Sequence, residues 1–476
     1  MRRRDFMKAA FAFTAAAASG TAYGKEQEKP NIVLINIDDM GWRDIGVNGS
    51  DFYRTPNIDS LVRSGMNFSS AYAAAANCAP SRACLLSGKY TPRHGVYTVG
   101  SSERGKSKYR KLIPTKNKKF LDEDETTIAD CLKDAGYRTI TLGKYHVNSD
   151  PLKHGFDENV GGCHKGHPPT YFSPYSIPTL EDGPKGEHLP ERLTDEALEF
   201  IDRNKNRPFF LYFPFYSVHS PIEARDDLLE KYKNYEPGEL HKRADYAAMI
   251  EAVDIHIGRL IEKIDKLNLR EKTMIIFTAD NGGVHWATDM APLRGCKGSY
   301  YEGGIREPLA FSWKGRISPG TTCDVPVSQI DFFPTFLSIV GAKPPKGKIL
   351  DGKDISPLLF GHEKLFDKQR PLFWHFPIYL QGGDDETRDP LFRTRPGSVV
   401  RKGDWKLHEY FEDGELELYN LKTDIGESKD LSELYPQKTK ELYEILCRWR
   451  EKTNADIPKK LNPKYDRKAD LKARKS

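Results

Sequence analysis

Cys78 opens the run Asn77-Cys78-Ala79-Pro80-Ser81-Arg82-Ala83-Cys84-Leu85-Leu86-Ser87-Gly88, where a thiol stands four residues ahead of an arginine. If this run is a helix with Pro80 in its first turn, positions 78 and 82 share one face. The free N–H groups at a helix start favour an anion, and Arg82 adds a cation beside them. Two further clusters, Asp38-Asp39 and Asp280-Asn281, offer the oxygen ligands that a hard divalent cation wants. Lys144, His146, His219 and Lys297 add positive charge for an anionic substrate and imidazoles for proton transfer. Each group alone has an ordinary explanation: a core cysteine, a turn or helix cap, a surface lysine. Joint chemistry requires that the chain bring them together.

The elements expected to position them do so in one place. Asn31 to Ile37, Pro208 to Phe215 and Thr273 to Thr278 are continuous apolar runs, as in strands buried on both faces of a parallel sheet. Arg138 to Leu142 reads as a further strand. Asn57 to Gly65, Thr126 to Gly136, Leu193 to Asn204 and Asp245 to Leu267 read as helices. Strands alternating with helices imply an α/β domain with a mostly parallel sheet, whose ligands collect at the carboxyl ends of the strands. Asp38/Asp39, Lys144/His146, His219 and Asp280/Asn281 each fall just after such a strand. Past about residue 375 the pattern changes. Ser398 to Arg401, Trp405 to Tyr410 and Leu416 to Tyr419 read as short antiparallel strands, and Pro436 to Lys452 as an amphipathic helix. The tail from Lys459 is charged and expected to be loose.

The run from Cys78 to Gly88 resembles the signature of the type I, formylglycine-dependent, arylsulfatase-like sulfatases of the alkaline-phosphatase superfamily. That signature reads Cys-x-Pro-Ser-Arg followed by Ala-x-Leu-Leu-Thr/Ser-Gly. Gly143-Lys144-Tyr145-His146, Ser217-Val218-His219-Ser220-Pro221, Pro292-Leu293-Arg294-Gly295-Cys296-Lys297-Gly298 and Tyr301 to Pro308 resemble further segments of the same family, with Tyr145 and Cys296 as minor departures. The resemblance covers the chain from about Asn31 to the C-terminal helix. It implies an alkaline-phosphatase-like α/β sandwich around a large, mostly parallel sheet, with a smaller C-terminal subdomain of antiparallel sheet plus helix. It also implies that a dedicated maturation enzyme oxidises Cys78 to formylglycine (3-oxoalanine). The hydrated aldehyde has two hydroxyls, one to attack sulfur and one to expel sulfate afterwards. Carried over by position, Asp38, Asp39, Asp280 and Asn281 would hold one Ca²⁺ together with modified Cys78. Arg82, Lys144 and Lys297 would hold the sulfate, His146 would take a proton from the hydrate, and His219 with Lys297 would protonate the leaving alcohol.

Charge and leader narrow the setting. A net charge of +5 is too small to argue for a nucleic-acid partner, though it suits an anionic substrate. Residues 1–24 run from Arg2-Arg3-Arg4 through an Ala-rich apolar stretch to small residues, as in a signal peptide, and Arg3-Arg4-x-Phe6-x-Lys8 resembles a twin-arginine export signal. The apolar stretch is too short for a stable membrane anchor, which needs ~20 apolar residues. The expected division is a leader at 1–24, a catalytic domain at 25–375 and a subdomain with a loose basic tail at 376–476, exported to the periplasm or beyond. The seven cysteines show no disulfide framework.

A sulfated carbohydrate, polysaccharide or glycosaminoglycan fragment, is the expected substrate. The Pro- and Gly-rich stretch from Lys153 to Glu191 reads equally as a sugar-binding loop or a solvent loop. His94, His164, His167, His285 and Arg294 are the expected substrate contacts. Two rival readings remain at this level: a phosphoester or phosphonate hydrolase of the same superfamily, and a carbohydrate-binding protein whose Cys78 is never matured.

Overall fold

Residues 29–474 are described by the computed structural model of the chain; the expected leader at 1–24 lies outside them. The central sheet has eight strands: β1 (Asn31–Ile37), β2 (Met66–Phe68), β3 (Arg138–Leu142), β4 (Glu158–Val160), β5 (Phe209–Pro214), β6 (Thr273–Ala279), β7 (Leu309–Ser312) and β8 (Thr321–Cys323). Their order is β8-β2-β7-β6-β1-β5-β3-β4. Only β7 runs antiparallel to its neighbours.

The continuous apolar runs have a direct cause. Along β1, Val33, Ile35 and Ile37 point into one core, and Ile32 and Leu34 into another. The first core packs against α1 (Pro56–Arg63), α4 (Leu189–Asn204) and α5 (Ala244–Lys266). The second packs against α2 (Cys78–Ser87), α3 (Ile128–Asp134) and α6 (Phe332–Val340). A strand covered on both faces is therefore mostly apolar, and its polar residues are bonded to neighbours, as Asn31 is to Thr273 and Asn36 to Tyr212.

Every residue of α2 is buried. Ala83, Leu85 and Leu86 face the sheet, while Cys84 belongs to a separate core with Val400, Leu407, Leu418, Leu442 and Leu446. A helix buried along its whole length, polar residues included, is enclosed on all sides. The material on its far side is the C-terminal layer: β9 (Leu372–Phe376), β10 (Gly397–Lys402), β11 (Trp405–Tyr410) and β12 (Leu416–Asn420), antiparallel in that order, with α7 (Pro436–Thr453). The first of these strands spans the expected boundary at 375.

The tail is not loose, contrary to the reading from its charge. It ends in α8 (Arg467–Ala473), and the Asp470 carboxylate accepts from the buried Arg395 at 3.1 Å. Asn462 donates to the carbonyls of Ser107 and Arg110. The tail's lysines among the described residues remain exposed, while Arg474 pairs with the buried Asp470 at 2.7 Å.

Candidate active site

Four adjacent strands, β6-β1-β5-β3, deliver the site. Ile37 pairs in register with Ala279, so Asp38 and Asp280 leave the sheet side by side. The Asp39 N–H donates to Asp280 Oδ1 at 3.2 Å, fixing the two strand ends together. Carboxylate oxygens of Asp38, Asp39 and Asp280 lie within 4.8 Å of one another, and all three residues are buried. Oxygen ligands at 2.3–2.6 Å from a calcium ion span up to about 5 Å across it, so the cluster has the right size. Asp38 Oδ1 and Asn281 Oδ1 are buried and have no hydrogen-bond partner among the described residues. Orphaned acceptors in such a place are costly unless a cation meets them. The donor set is all hard oxygen, which fits Ca²⁺ rather than a soft metal.

Three cations balance these acids. Lys144 Nζ bonds Asp38, and Lys297 Nζ lies 2.6 Å from Asp39 Oδ1. Arg82 places Nε and one terminal nitrogen each 2.8 Å from Asp280 Oδ2, and donates to the Lys144 carbonyl at 2.6 Å. Burial opposes ionisation of Asp39, yet Lys297, then His219 and Lys144, outweigh it and hold the carboxyl below its usual range. At Asp38 the balance reverses. Burial, with Asp280 and Asp39 nearby, pushes the carboxyl well up despite Lys144. A site with this much crowded negative charge is built to receive a cation.

Cys78 stands at the first turn of α2 with 3% of its surface exposed, and it shares one pocket with His146, His219 and Lys297. Burial pushes its thiol up, against the pull of Lys144 and Lys297. The unmodified side chain is therefore a thiol and a poor nucleophile. His146 follows β3 with φ at 63°, a left-handed conformation uncommon outside glycine, and Asp39 has φ at 59°. Burial, then the charges of Lys144 and Arg82, drives His146 well below its usual value. Burial and then Lys297 push His219 down to about 3. His219 Nδ1 meets the Ser220 carbonyl at 2.7 Å, which assigns the proton to Nδ1 and leaves Nε2, 3.6 Å from Asp39 Oδ2, facing the site.

The pocket above these groups holds about 380 Å³. Of the expected substrate contacts, His167 lines it and stacks on His219 with ring centroids 5.7 Å apart. The others sit elsewhere. His94 is buried against Cys84 Sγ at 3.3 Å, and burial pushes it down to about 3. His164 is exposed and meets the edge of Phe120. His285 lies beside Cys296 and Asp384. Arg294 lies over the Tyr301 ring at 3.9 Å and donates to the carbonyls of Glu386 and Glu427. The Lys153–Glu191 stretch is divided: Gly166 and His167 reach the pocket, but His154 is a core residue bonded to Tyr145. Sequence reading missed Arg104, Gln381 and Arg393, which also line the pocket. No predicted strand end or motif marks them, because they come from a surface loop and a hairpin of the C-terminal layer.

Sheet order, site and layers together define an α/β hydrolase of the alkaline-phosphatase-like superfamily. Residues 30–342 match the family model "Sulfatase", and residues 296–452 match "N-sulphoglucosamine sulphohydrolase, C-terminal". A sulfatase of Formosa agariphila is 36% identical, over 87% of this chain and 86% of its own. The N-acetylgalactosamine-6-sulfatase of Canis lupus familiaris is 33% identical, over 75% of this chain and 71% of its own. The solved structure of Ps i-CgsB in complex with k-i-k-neocarrahexaose superposes with a TM-score of 0.75 at 28% identity, covering 93% of this chain and 96% of that one. The chain belongs to the sulfatase family and is a sulfuric ester hydrolase.

Proposed function

We propose that the protein hydrolyses sulfate esters on a carbohydrate, using Cys78 in its formylglycine form and one calcium ion. The observation that carries this reading is a convergence: buried Cys78 lines one pocket with His146, His219 and Lys297, and Arg82, Lys144, Asp38 and Asp280 lie near enough to act on it electrostatically. Similar proteins support the substrate class, since one is named an N-acetylgalactosamine-6-sulfatase and another is solved in complex with k-i-k-neocarrahexaose.

Asp38, Asp39, Asp280 and Asn281, with position 78, would hold the calcium, which polarises sulfate oxygens and favours ionisation of a neighbouring hydroxyl. Formylglycine, installed by a maturation enzyme, supplies a hydrate with one hydroxyl for attack and one for sulfate release. The remaining work belongs to the chain's own side chains. Arg82, Lys144 and Lys297 orient the sulfate and offset charge as it moves between oxygens. His219, with Lys297 beside it, delivers a proton to the leaving sugar oxygen once the negative charge of the bound sulfate favours protonation of its Nε2, and His146 accepts one from the hydroxyl at position 78. The enzyme acts outside the cytoplasm, a reading supported by the charged, apolar and small-residue parts of residues 1–24.

The test is turnover by protein co-produced with a maturation enzyme. The peptide containing position 78 should show the mass of formylglycine, and sulfate esters should be cleaved far faster than matched phosphate esters. Cys78→Ala should release no sulfate. Unmodified cysteine in active protein, or faster cleavage of the phosphate ester, would reject the scheme.

A further inference from the structure

The pocket over Cys78 has a cationic rim that the sulfate-cleaving groups leave unused. Arg104 and Arg393 line it from two different segments. Among the described residues the Arg104 guanidinium has no hydrogen-bond or ion-pair partner. Arg393 donates to the carbonyls of Gly382 and Lys297, at 3.0 and 3.1 Å, and it too lacks a carboxylate partner among the described residues. No Asp or Glu lines this pocket. The two like charges face one another closely enough that Arg393, after burial, adds to the downward push on Arg104, and Cys78 lies near enough to pull the other way.

The arrangement is held in place. Arg110 donates to the carbonyls of Glu103, Arg104 and Gly105, at 2.6, 3.3 and 2.7 Å, and so fixes the loop around position 104. Gly105, at φ 78°, lies so close to Phe392 that a Cβ there would meet its ring at 2.6 Å. That close approach sets Arg104 beside the residue that follows Phe392. Glu103 also bridges Tyr379, at the start of the same hairpin. Several contacts therefore hold the two arginines on one rim of the pocket, with no carboxylate partner for either among the described residues.

We propose that Arg104 and Arg393 form a second anion subsite, which recognises a sulfate or carboxylate on the substrate in addition to the ester that is cleaved. The preferred substrate is then a polyanionic oligosaccharide and not a singly sulfated sugar. Planar guanidinium groups suit both candidate anions, because each offers paired oxygens to a bidentate donor. This assignment rests on the sulfated-carbohydrate reading of the pocket and gives the two arginines a role in specificity, not in bond cleavage.

Calorimetry with the full-length Cys78→Ala protein in calcium buffer reads the subsite without turnover. Three probes are compared: chondroitin 6-sulfate disaccharide, its carboxyl-reduced form with one anion, and that reduced form carrying a sulfate on the reduced ring. At least one doubly anionic probe should bind about 10- to 100-fold more tightly than the singly anionic one. Which one does so separates a carboxylate site from a sulfate site. Adding Arg104→Met should bring the ratio close to one, and Arg104→Lys should restore part of it. Equal affinity for all three probes, or a ratio that survives Arg104→Met with the Tm unchanged, overturns the subsite. Sulfate release by the matured wild-type enzyme from an aryl sulfate is measured in parallel. Its absence would count against the sulfatase chemistry, whatever the calorimetric ratio shows.

Discussion

Lys297 Nζ and Asp39 Oδ1 lie 2.6 Å apart, joining the end of β1 to a loop 258 residues further along the chain. The same carboxylate accepts from Asn281 Nδ2 at 2.8 Å, while Asn281 Oδ1 has no partner among the described residues. A cation among these oxygens would satisfy the orphaned acceptors and relieve the crowding at Asp38. Calcium should therefore stabilise the fold as well as serve the reaction. Stripping the protein with a chelator should lower its Tm, and returning calcium should restore it. A free concentration 100-fold above Kd corresponds to about 2.7 kcal/mol. Asp280→Ala should abolish this response to calcium. A calcium-dependent shift of wild-type size in that variant would remove the cluster as the binding site.

In the proposed reaction His219 serves the leaving oxygen, so the cost of losing it depends on how badly that oxygen needs a proton. A sugar alkoxide is strongly basic, whereas a nitrophenolate leaves readily unprotonated. His219→Ala should lower kcat/KM for a sugar sulfate by about 10²- to 10⁴-fold and for 4-nitrophenyl sulfate by less than about 10-fold. Equal losses on both esters would show that His219 binds the sulfate and does not protonate the leaving group.

The strand ends were legible in the sequence because two-sided burial leaves a continuous apolar run, and NIVLINI and TMIIFT stop directly before acids. His219 was legible because it follows the apolar run Pro208 to Phe215, and Lys144 and His146 because they follow the strand read over Arg138 to Leu142. The adjacency of these strands was not, since register such as Ile37 with Ala279 is set by packing across more than 240 residues. His94 misled because an imidazole near the Cys78 run gives no sign of whether it faces the pocket or the back of α2. Arg104 and Arg393 were invisible: neither follows a strand of the main sheet, and long-range contacts such as Gly105 with Phe392 and Glu103 with Tyr379 bring their segments together.

Asp254 carries a pH dependence of stability that is remote from the active site. Its carboxylate accepts from the N–H of Ile58 at 2.8 Å and from the N–H and side chain of Asn57, capping α1 from α5. Burial outweighs these bonds and raises its pKa from 3.8 to about 6. A carboxyl that holds its proton more tightly when folded favours the fold at low pH. This contribution is fully present below about pH 4 and is lost as pH rises through 6. Asp254→Asn keeps an acceptor and cannot ionise. Relative to this variant, wild-type stability should fall by on the order of 2 kcal/mol between pH 4 and pH 7. Thermal unfolding of both proteins across that range checks it, and parallel curves would contradict the assignment.

Arg395 holds the end of the chain and should be far less tolerant of change than the aspartate it anchors. Its buried guanidinium bonds Asp389, Glu412 at 2.9 Å and Asp470 at 3.1 Å. Asp470→Ala leaves the arginine two carboxylates, so the cost should be confined to α8, at about 1–3 kcal/mol. Proteolysis within residues 459–474 should then precede global unfolding. Arg395→Met instead leaves three acids without their shared cation, and breaking such a buried pair costs about 3–5 kcal/mol. The whole chain should show a lower Tm, because Asp389 and Glu412 belong to the C-terminal layer that encloses α2. Equal Tm losses in the two variants would mean that the tail and this layer unfold as one unit.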